Sequence, residues 1–276
     1  MKLFITGATG FIGSHILHHA LSSGHTVLAH RRKSCSNTKI NLPTSPLWLD
    51  VPLDSISVNQ VYDCNAIIHL AATGVSPRVS TWSELYEVNI RSTLLICELA
   101  KAINASLVMS GSYAEYGLSA LRYHEIPPDA PLEPTSSYAA SKAAAGILSM
   151  SYARAEKVSL AYLRIFNAFG YGQHKSNLWP SLRHAAQNEI DFAMTLGEQI
   201  RDFIPVEDVA KAFLDEAISL VAQEHTVFAR NVASGKPQSI RQFCEFWWKK
   251  WVASGNLNIG AIPYREGEVM RYVPKL

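Results

Sequence analysis

The chain has 276 residues, 48% hydrophobic and 17% charged, which is enough apolar material for a substantial core and excludes a disordered segment. A formal net charge of +2, with "HRRK" (30–33) as the densest positive patch, excludes an extended nucleic-acid surface. No apolar run approaches the roughly 20 residues of a membrane span, and glycines interrupt "MKLFITGATG" before a leader core develops, so a cytoplasmic protein without a membrane partner is expected.

Strand-length apolar runs alternate with helical patterns along the first two-thirds of the chain. "KLFIT" (2–6) reads as a buried strand, "FIGSHILHHALSSG" (11–24) as a helix closed by Gly24, and "HTVLAH" (25–30) as the next strand. "LWLD" (47–50), "AIIHLAA" (66–72), "SLVMSGS" (106–112) and "VSLAYLRIFN" (158–167) continue the series, with helices over 82–103 and 136–157. Continuous apolar strands separated by helices predict a parallel sheet covered on both faces, a doubly wound α/β fold. After about residue 170 the rhythm breaks into short strands and two amphipathic helices, 206–221 and 239–252, which predict a smaller mixed α/β C-terminal lobe. The expected division is 1–170 for dinucleotide binding, with 200–235 partly returning to it, and 171–276 mainly for substrate. "PPDAPLEP" (127–134) reads as a loop.

Cys35, Cys64, Cys97 and Cys244 lie far apart with no C-x-x-C, which predicts free thiols in a reducing compartment. "HILHHA" (15–20) has no acidic partner at metal-binding spacing and reads as a helix surface; no metal site is expected.

"TGATGFIG" places Gly7, Gly10 and Gly13 between the first strand and the first helix. Glycine there serves a tight turn, close backbone approach to a pyrophosphate, and close helix–strand packing. The helix N-terminus then offers unpaired amides to the anion. Folds that hold NAD usually carry an acid after the second strand, whereas arginine accommodates the 2′-phosphate of NADP. His30, Arg31, Arg32 and Lys33 stand there with no acid, which points to NADP, with NAD as the alternative if these residues form only an exposed basic loop.

Tyr138 and Lys142 in "YAASK" stand one helical turn apart, and the same spacing recurs at Tyr171 and Lys175 in "YGQHK". Together with the glycine triplet, the runs "AIIHLAA", "YEVNIRSTLLICELAK", "SGSYAEYG", "LRIFNAFGYGQ", "IRDFIPVEDVA" and "PYREGEV" resemble the extended short-chain dehydrogenase/reductases, in the nucleotide-sugar epimerase/dehydratase/reductase branch, from residue 1 to about 271. The resemblance implies a Rossmann-type fold and assigns the catalytic pair to Tyr138 and Lys142, leaving Tyr171 and Lys175 as a decoy. It further implies that Tyr138 exchanges a proton with the sugar oxygen, that Lys142 favours the phenolate and holds the nicotinamide ribose, and that Ser112 hydrogen-bonds the reacting oxygen.

For the cofactor the resemblance implies contacts from Gly7, Thr9, Gly10, Phe11, Ile12, Gly13, Arg31, Arg32, Asp50, Val51, Leu70, Ala71, Ala72, Tyr138 and Lys142. For a nucleotide-diphosphate sugar it implies Ser112, Asn167, Arg201, Arg265 and Glu268, with "KSNLWPSLRHA" (175–185) beside the base. Dehydratases of this branch carry a Thr-Asp-Glu or Thr-x-Glu run where this chain has Ser112, Tyr113 and Ala114, and the 3,5-epimerising reductases carry a cysteine. What remains is a 4-keto(-6-deoxy)-sugar reductase using NADP, or a 4-epimerase holding NAD. A non-catalytic dinucleotide sensor would not require Ser112, Tyr138 and Lys142. Glu115 is read as structural. The helices over 82–103 and 136–157 imply a homodimer. "FGYGQ" departs from the family by a tyrosine in place of proline, and relatives continue past the last residues of this chain, so a shortened substrate lobe is expected.

Overall fold

The computed structural model describes residues 1–31, 37–75 and 79–276. The elements of the first part are β1 (Lys2–Thr6), α1 (Phe11–Ser22), β2 (Thr26–Arg31), β3 (Leu47–Asp50), the short α2 (Val58–Val61), β4 (Ala66–His69), α3 (Trp82–Leu85), α4 (Ser92–Ala102), β5 (Ser106–Ser112), α5 (Ser137–Glu156) and β6 (Leu160–Ile165). Then follow β7 (Ala168–Phe169), α6 (Leu178–Gln187), β8 (Phe192–Met194), β9 (Ile200–Asp202), β10 (Ile204–Pro205), α7 (Val206–Val221), β11 (Val227–Val232), β12 (Pro237–Ser239), α8 (Ile240–Lys250), β13 (Leu257–Ile259) and β14 (Arg271–Tyr272).

Seven strands form one parallel sheet in the order β11-β6-β5-β4-β1-β2-β3. Alternation along each strand feeds two cores. Leu3, Ile5, Val27, Ala29 and Ile68 pack with Ile16 and Leu17 of α1 and Phe213 and Leu214 of α7. Phe4, Leu28, Ile67, Leu107 and Tyr162 pack on the other face with Ile96, Cys97 and Ala100 of α4 and Ala153 of α5. Both faces are therefore apolar, which is why the strands read as unbroken hydrophobic runs. Strand β11 forms one edge of this sheet, and helix α7 packs on one of its faces. The chain reverses direction across the sheet between β1 and β4, and the crevice at their carboxyl ends is where such sheets hold ligands.

A third cluster, built on Tyr116, Phe166 and Tyr272, lies under the loop after β5, and a fourth, built on Leu182, Cys244 and Trp248, joins α6 to α8 in the smaller lobe. Residues 271–275 thread back onto the loop after β5. There Ile126 and Lys275 exchange amide bonds with Val273 and Ile126 carbonyls, and the Asn231 amide donates to the Lys275 carbonyl.

Two sequence expectations change. The helix expected over 82–103 is interrupted by a wider turn, Tyr86–Arg91, with π-type hydrogen bonding. His15 is not on the helix surface: it is buried, and its Nε2 donates to the Tyr171 carbonyl at 2.8 Å. Cys64, Cys97 and Cys244 are buried free thiols, and burial pushes each up, to about 11 for Cys64 and about 12 for the other two. Cys35 lies outside the described residues. No helix among the described residues is long and apolar enough to cross a membrane, and no group of three side chains there could hold a metal ion.

Candidate active site

The glycine loop has the shape its composition demands. Gly7 is left-handed (φ +67°), and a Cβ on it would lie 2.8 Å from the backbone of Leu70 and Ala71. A Cβ on Gly13 would lie 2.1 Å from the Gly7 carbonyl oxygen, so α1 packs against the turn as no larger residue allows. Helix α1 starts at Gly10 without a side-chain cap or an acid in its first turn, which leaves its amides and positive end to an anion. A cavity of about 810 Å³ opens above this loop, lined by Gly7, Thr9, Gly10, Arg31 and Leu70–Ala72 among the expected residues, and also by His30, Thr73 and Arg91. Glycine cradle, capless helix and elongated cavity fit a dinucleotide. Phe11, Ile12 and Gly13 stand in the first turn of α1 behind the lining.

At the far end of the cavity Arg31 is paired with Asp50 at the end of β3. Its Nε donates to Oδ1 at 2.6 Å and its Nη2 to Oδ2 at 3.0 Å, and the guanidinium lies over Trp48. The acid missing from the sequence after β2 is thus supplied by the neighbouring strand. This pair holds the Asp50 carboxyl below its ordinary value. Val51 presents its carbonyl to His30 Nε2 at 2.8 Å. Arg32 and Lys33, the rest of the basic run, lie outside the described residues.

Beneath the loop, the Thr6 hydroxyl accepts the Leu70 and Ala71 amides and donates to His69 Nδ1 at 2.7 Å. Burial, with Lys142 and His30 adding, pushes the His69 imidazole down to about 3, so it remains neutral.

Helix α5 brings the candidate catalytic groups to the end of β5. Ser136 caps it by accepting the Ala139 amide. Its small buried residues, Ala139, Ala143, Ala145 and Gly146, let it lie close on the sheet. A Cβ on Gly146 would meet the Tyr162 ring at 2.8 Å. Ser112 stands near the Tyr138 phenol and acts to lower it. Lys142 is buried. The loop after Thr73 abuts the pair from the cavity side, since a Cβ on Gly74 would stand 3.5 Å from the Tyr138 ring.

The electrostatics of the pair are set by burial and by Glu115. Tyr138 is raised well above the ordinary phenol value, first by burial and second by the Glu115 carboxylate, which together outweigh the effect of Ser112. Burial lowers Lys142 and Glu115 opposes that. Burial and Glu115 together keep the proton on the phenol at neutral pH.

Sequence reasoning missed Asn89. It is buried in the π-type turn, its Oδ1 accepts the Thr73 amide at 2.8 Å, and its Nδ2 donates to the Thr73 carbonyl and to Ser141 Oγ. It therefore ties the cavity wall to the residue preceding Lys142. The available signal was a lone amide inside the apolar run "YEVNIRSTLL", and π-type turns in helices often mark functional sites.

The expected substrate residues fall mostly into one neighbourhood. Asn167 Nδ2 donates to the Asp202 carbonyl at 3.2 Å, beside Arg201. Arg201 is buried and donates to Glu268 at 3.0 Å and to the Val269 carbonyl at 2.7 Å. Its guanidinium faces the Tyr272 ring, which packs edge-on to Tyr113, the residue after Ser112. Arg265 is exposed on the loop preceding Glu268. Tyr171 is exposed, with its ring against Trp179 and Arg183.

Comparison with known proteins agrees with this geometry. Residues 3–224 match the NAD dependent epimerase/dehydratase family. The chain is 27% identical over 270 residues to a CDP-abequose synthase of Salmonella muenchen, covering 98% of this chain and 87% of that protein. It is 27% identical over 265 residues to a UDP-glucose 4-epimerase of Corynebacterium glutamicum (89% and 79% covered) and 28% identical over 263 residues to a GDP-6-deoxy-D-mannose reductase of Pseudomonas aeruginosa (88% and 78%). Among solved structures, MoeE5 in complex with UDP-glucuronic acid and NAD superposes with a TM-score of 0.83 at 25% identity, covering 100% of this chain and 90% of that one. The chain belongs to the NAD dependent epimerase/dehydratase family, and is an NAD(P)-dependent enzyme of the extended short-chain dehydrogenase/reductase type.

Proposed function

We propose that the protein is an NADP-dependent reductase of a nucleotide-linked 4-keto(-6-deoxy) sugar. One observation carries this reading: Tyr138 is held as a phenol, and among the described residues the one carboxylate acting on it, Glu115, is committed to Ser112, Tyr162 and Arg164, so the phenol has no free carboxylate as a second partner. Elimination of water needs such a pair. Position 114 offers only a methyl group, and Glu115 spends both oxygens on Ser112, Tyr162 and Arg164. Hydride chemistry at one carbon is what the site can perform.

Gly7, Thr9, Gly10 and Leu70–Ala72 would hold a nicotinamide dinucleotide, which when bound and reduced would supply hydride for C4. The phenol of Tyr138 gives its proton to the carbonyl oxygen, so a ketone becomes an alcohol. The Ser112 hydroxyl holds that oxygen, and the Lys142 ammonium faces the phenolate left behind until solvent returns a proton. Asn167, Arg201 and Arg265 receive the nucleotide diphosphate and Glu268 accepts from the ribose hydroxyls, with the Arg201 guanidinium released from Glu268 to form a bidentate contact. The names of the GDP-6-deoxy-D-mannose reductase and CDP-abequose synthase relatives support such a substrate class. For the cofactor, a 2′-phosphate dianion competes well with one exposed carboxylate for Arg31, and the sequence continues with the basic residues Arg32 and Lys33. A homodimer through α4 and α5 accords with exposed Trp82, Tyr86 and Ile147 on that side; sedimentation at single-chain mass would exclude it.

The bidentate Arg31–Asp50 pair favours a second reading, a 4-epimerase with tightly held NAD, because it occupies the fork that a 2′-phosphate would need. Denaturing the purified protein and identifying the dinucleotide released separates the two. The reductase reading expects a site that exchanges cofactor and takes NADPH at least tenfold more tightly than NADH, roughly 1.4 kcal/mol. NAD retained at about one per chain would contradict it and support the epimerase.

A further inference from the structure

Glu115 is fully buried where β5, β6 and α5 meet. Its Oε1 accepts the Ser112 amide at 2.7 Å and the Tyr162 hydroxyl at 2.9 Å, and its Oε2 accepts Arg164 Nε at 2.9 Å. The Tyr162 hydroxyl is shared with the Lys142 carbonyl at 2.8 Å. Space for this ring is made by glycine on both sides: a Cβ on Gly111 would meet Tyr162 at 2.4 Å and Glu115 at 3.0 Å, and one on Gly146 would meet Tyr162 at 2.8 Å. Arg164 extends the network to the Pro128 carbonyl and the Tyr116 hydroxyl, which in turn donates to Asn231. A buried ion pair of this kind adds little stability over apolar residues of the same volume. What it does supply is a fixed geometry.

We propose that Glu115 is a positioning residue of the active site: its carboxylate fixes Ser112 through the backbone and, by way of Tyr162, the turn of α5 that carries Lys142. The inference rests on Ser112, Tyr138 and Lys142 being the proton-transfer group. The charged and titratable groups around Glu115 are Arg164 and Tyr162 from β6, Tyr138 and Lys142 from α5, and Tyr116 from its own turn; Tyr138 additionally faces Tyr113. Within this set Glu115 favours the protonated form of both Tyr138 and Lys142. One carboxylate thus both sets the geometry and keeps the pair in the acid form that proton donation requires.

The test is an ultraviolet difference titration of the full chain that needs no substrate. Subtracting the Tyr138→Phe spectrum from wild type, and the Glu115→Gln/Tyr138→Phe spectrum from Glu115→Gln, isolates the Tyr138 phenolate band from pH 7 to the alkaline edge of the native range seen by circular dichroism. Glutamine keeps one acceptor oxygen for the Ser112 amide and the Tyr162 hydroxyl and removes the charge, so the band in Glu115→Gln should appear at least about one pH unit earlier than in wild type. If Glu115→Gln fails to fold, Glu115→Gln/Arg164→Met removes the buried charge as well, and the same displacement is expected. Coincident titrations would overturn the proposal. In a second arm, with CDP-4-keto-6-deoxyglucose as the probe, the double variant should lose on the order of tenfold or more in kcat with the cofactor KM unchanged; unaltered kcat would likewise overturn it. Should wild type fail to turn over that probe, the reductase reading fails, while the titration still decides the role of Glu115.

Discussion

Replacing Tyr138 by phenylalanine should lower the rate of ketone reduction by roughly 10²–10⁴-fold, the range of a positioned proton donor. Dinucleotide should still bind, because the glycine loop and the cavity above it lie outside the change. Single-turnover oxidation of NADPH, paired with a binding titration, separates the two effects. Wild type should also show a pH signature. The Tyr138 phenol is raised above its ordinary value by burial and by Glu115, and reduction needs the protonated form. Its contribution is therefore present through neutral pH and lost only above the usual phenol range near 10. A basic limb near pH 7 in the reductive direction would show that another group gives the proton.

The second large effect is expected from Gly13→Ala. The added methyl carbon would stand 2.1 Å from the Gly7 carbonyl oxygen and 2.9 Å from its carbonyl carbon, so backbone must move. No flexible side chain is available to give way. The turn that shapes the pyrophosphate cradle and the first amides of α1 would separate, and dinucleotide affinity should fall by about 100-fold or more, roughly 2.7 kcal/mol. Isothermal titration with NADP and with NAD checks this, and circular dichroism confirms that the sheet persists. Gly24→Ala is the contrasting control: nothing lies within 4 Å of its would-be Cβ, so only its left-handed backbone (φ +77°) is strained, and cofactor binding should be unchanged.

The sheet was legible because parallel strands buried on both faces appear as uninterrupted apolar runs, and "KLFIT" and "SLVMSGS" coincide with β1 and β5. Helix α5 was legible for a related reason: a serine cap and a run of small residues that could lie close on a sheet. Contacts between distant segments were not legible. No local pattern brings Asp50 to Arg31, since the two meet only because β2 and β3 are adjacent in parallel register. His15 lies in a run of polar-looking histidines, yet it is buried because the segment carrying Tyr171 covers it. The strands of the smaller lobe, two or three residues each, have no periodicity to read. Ser112, Tyr138 and Lys142 could be named as candidates from the sequence, whereas the protonation of Tyr138 could not be read there, because burial and Glu115 set it through space.

The central claim is a net reduction with NADPH as the hydride donor. Incubating the protein with NADPH and CDP-4-keto-6-deoxyglucose, and following absorbance at the nicotinamide band alongside the sugar product by nuclear magnetic resonance, tests it most directly. The account predicts one NADPH consumed for each C4 alcohol formed, with little turnover when NADH replaces it. No consumption of NADPH, together with interconversion of UDP-glucose and UDP-galactose without added cofactor, would contradict it.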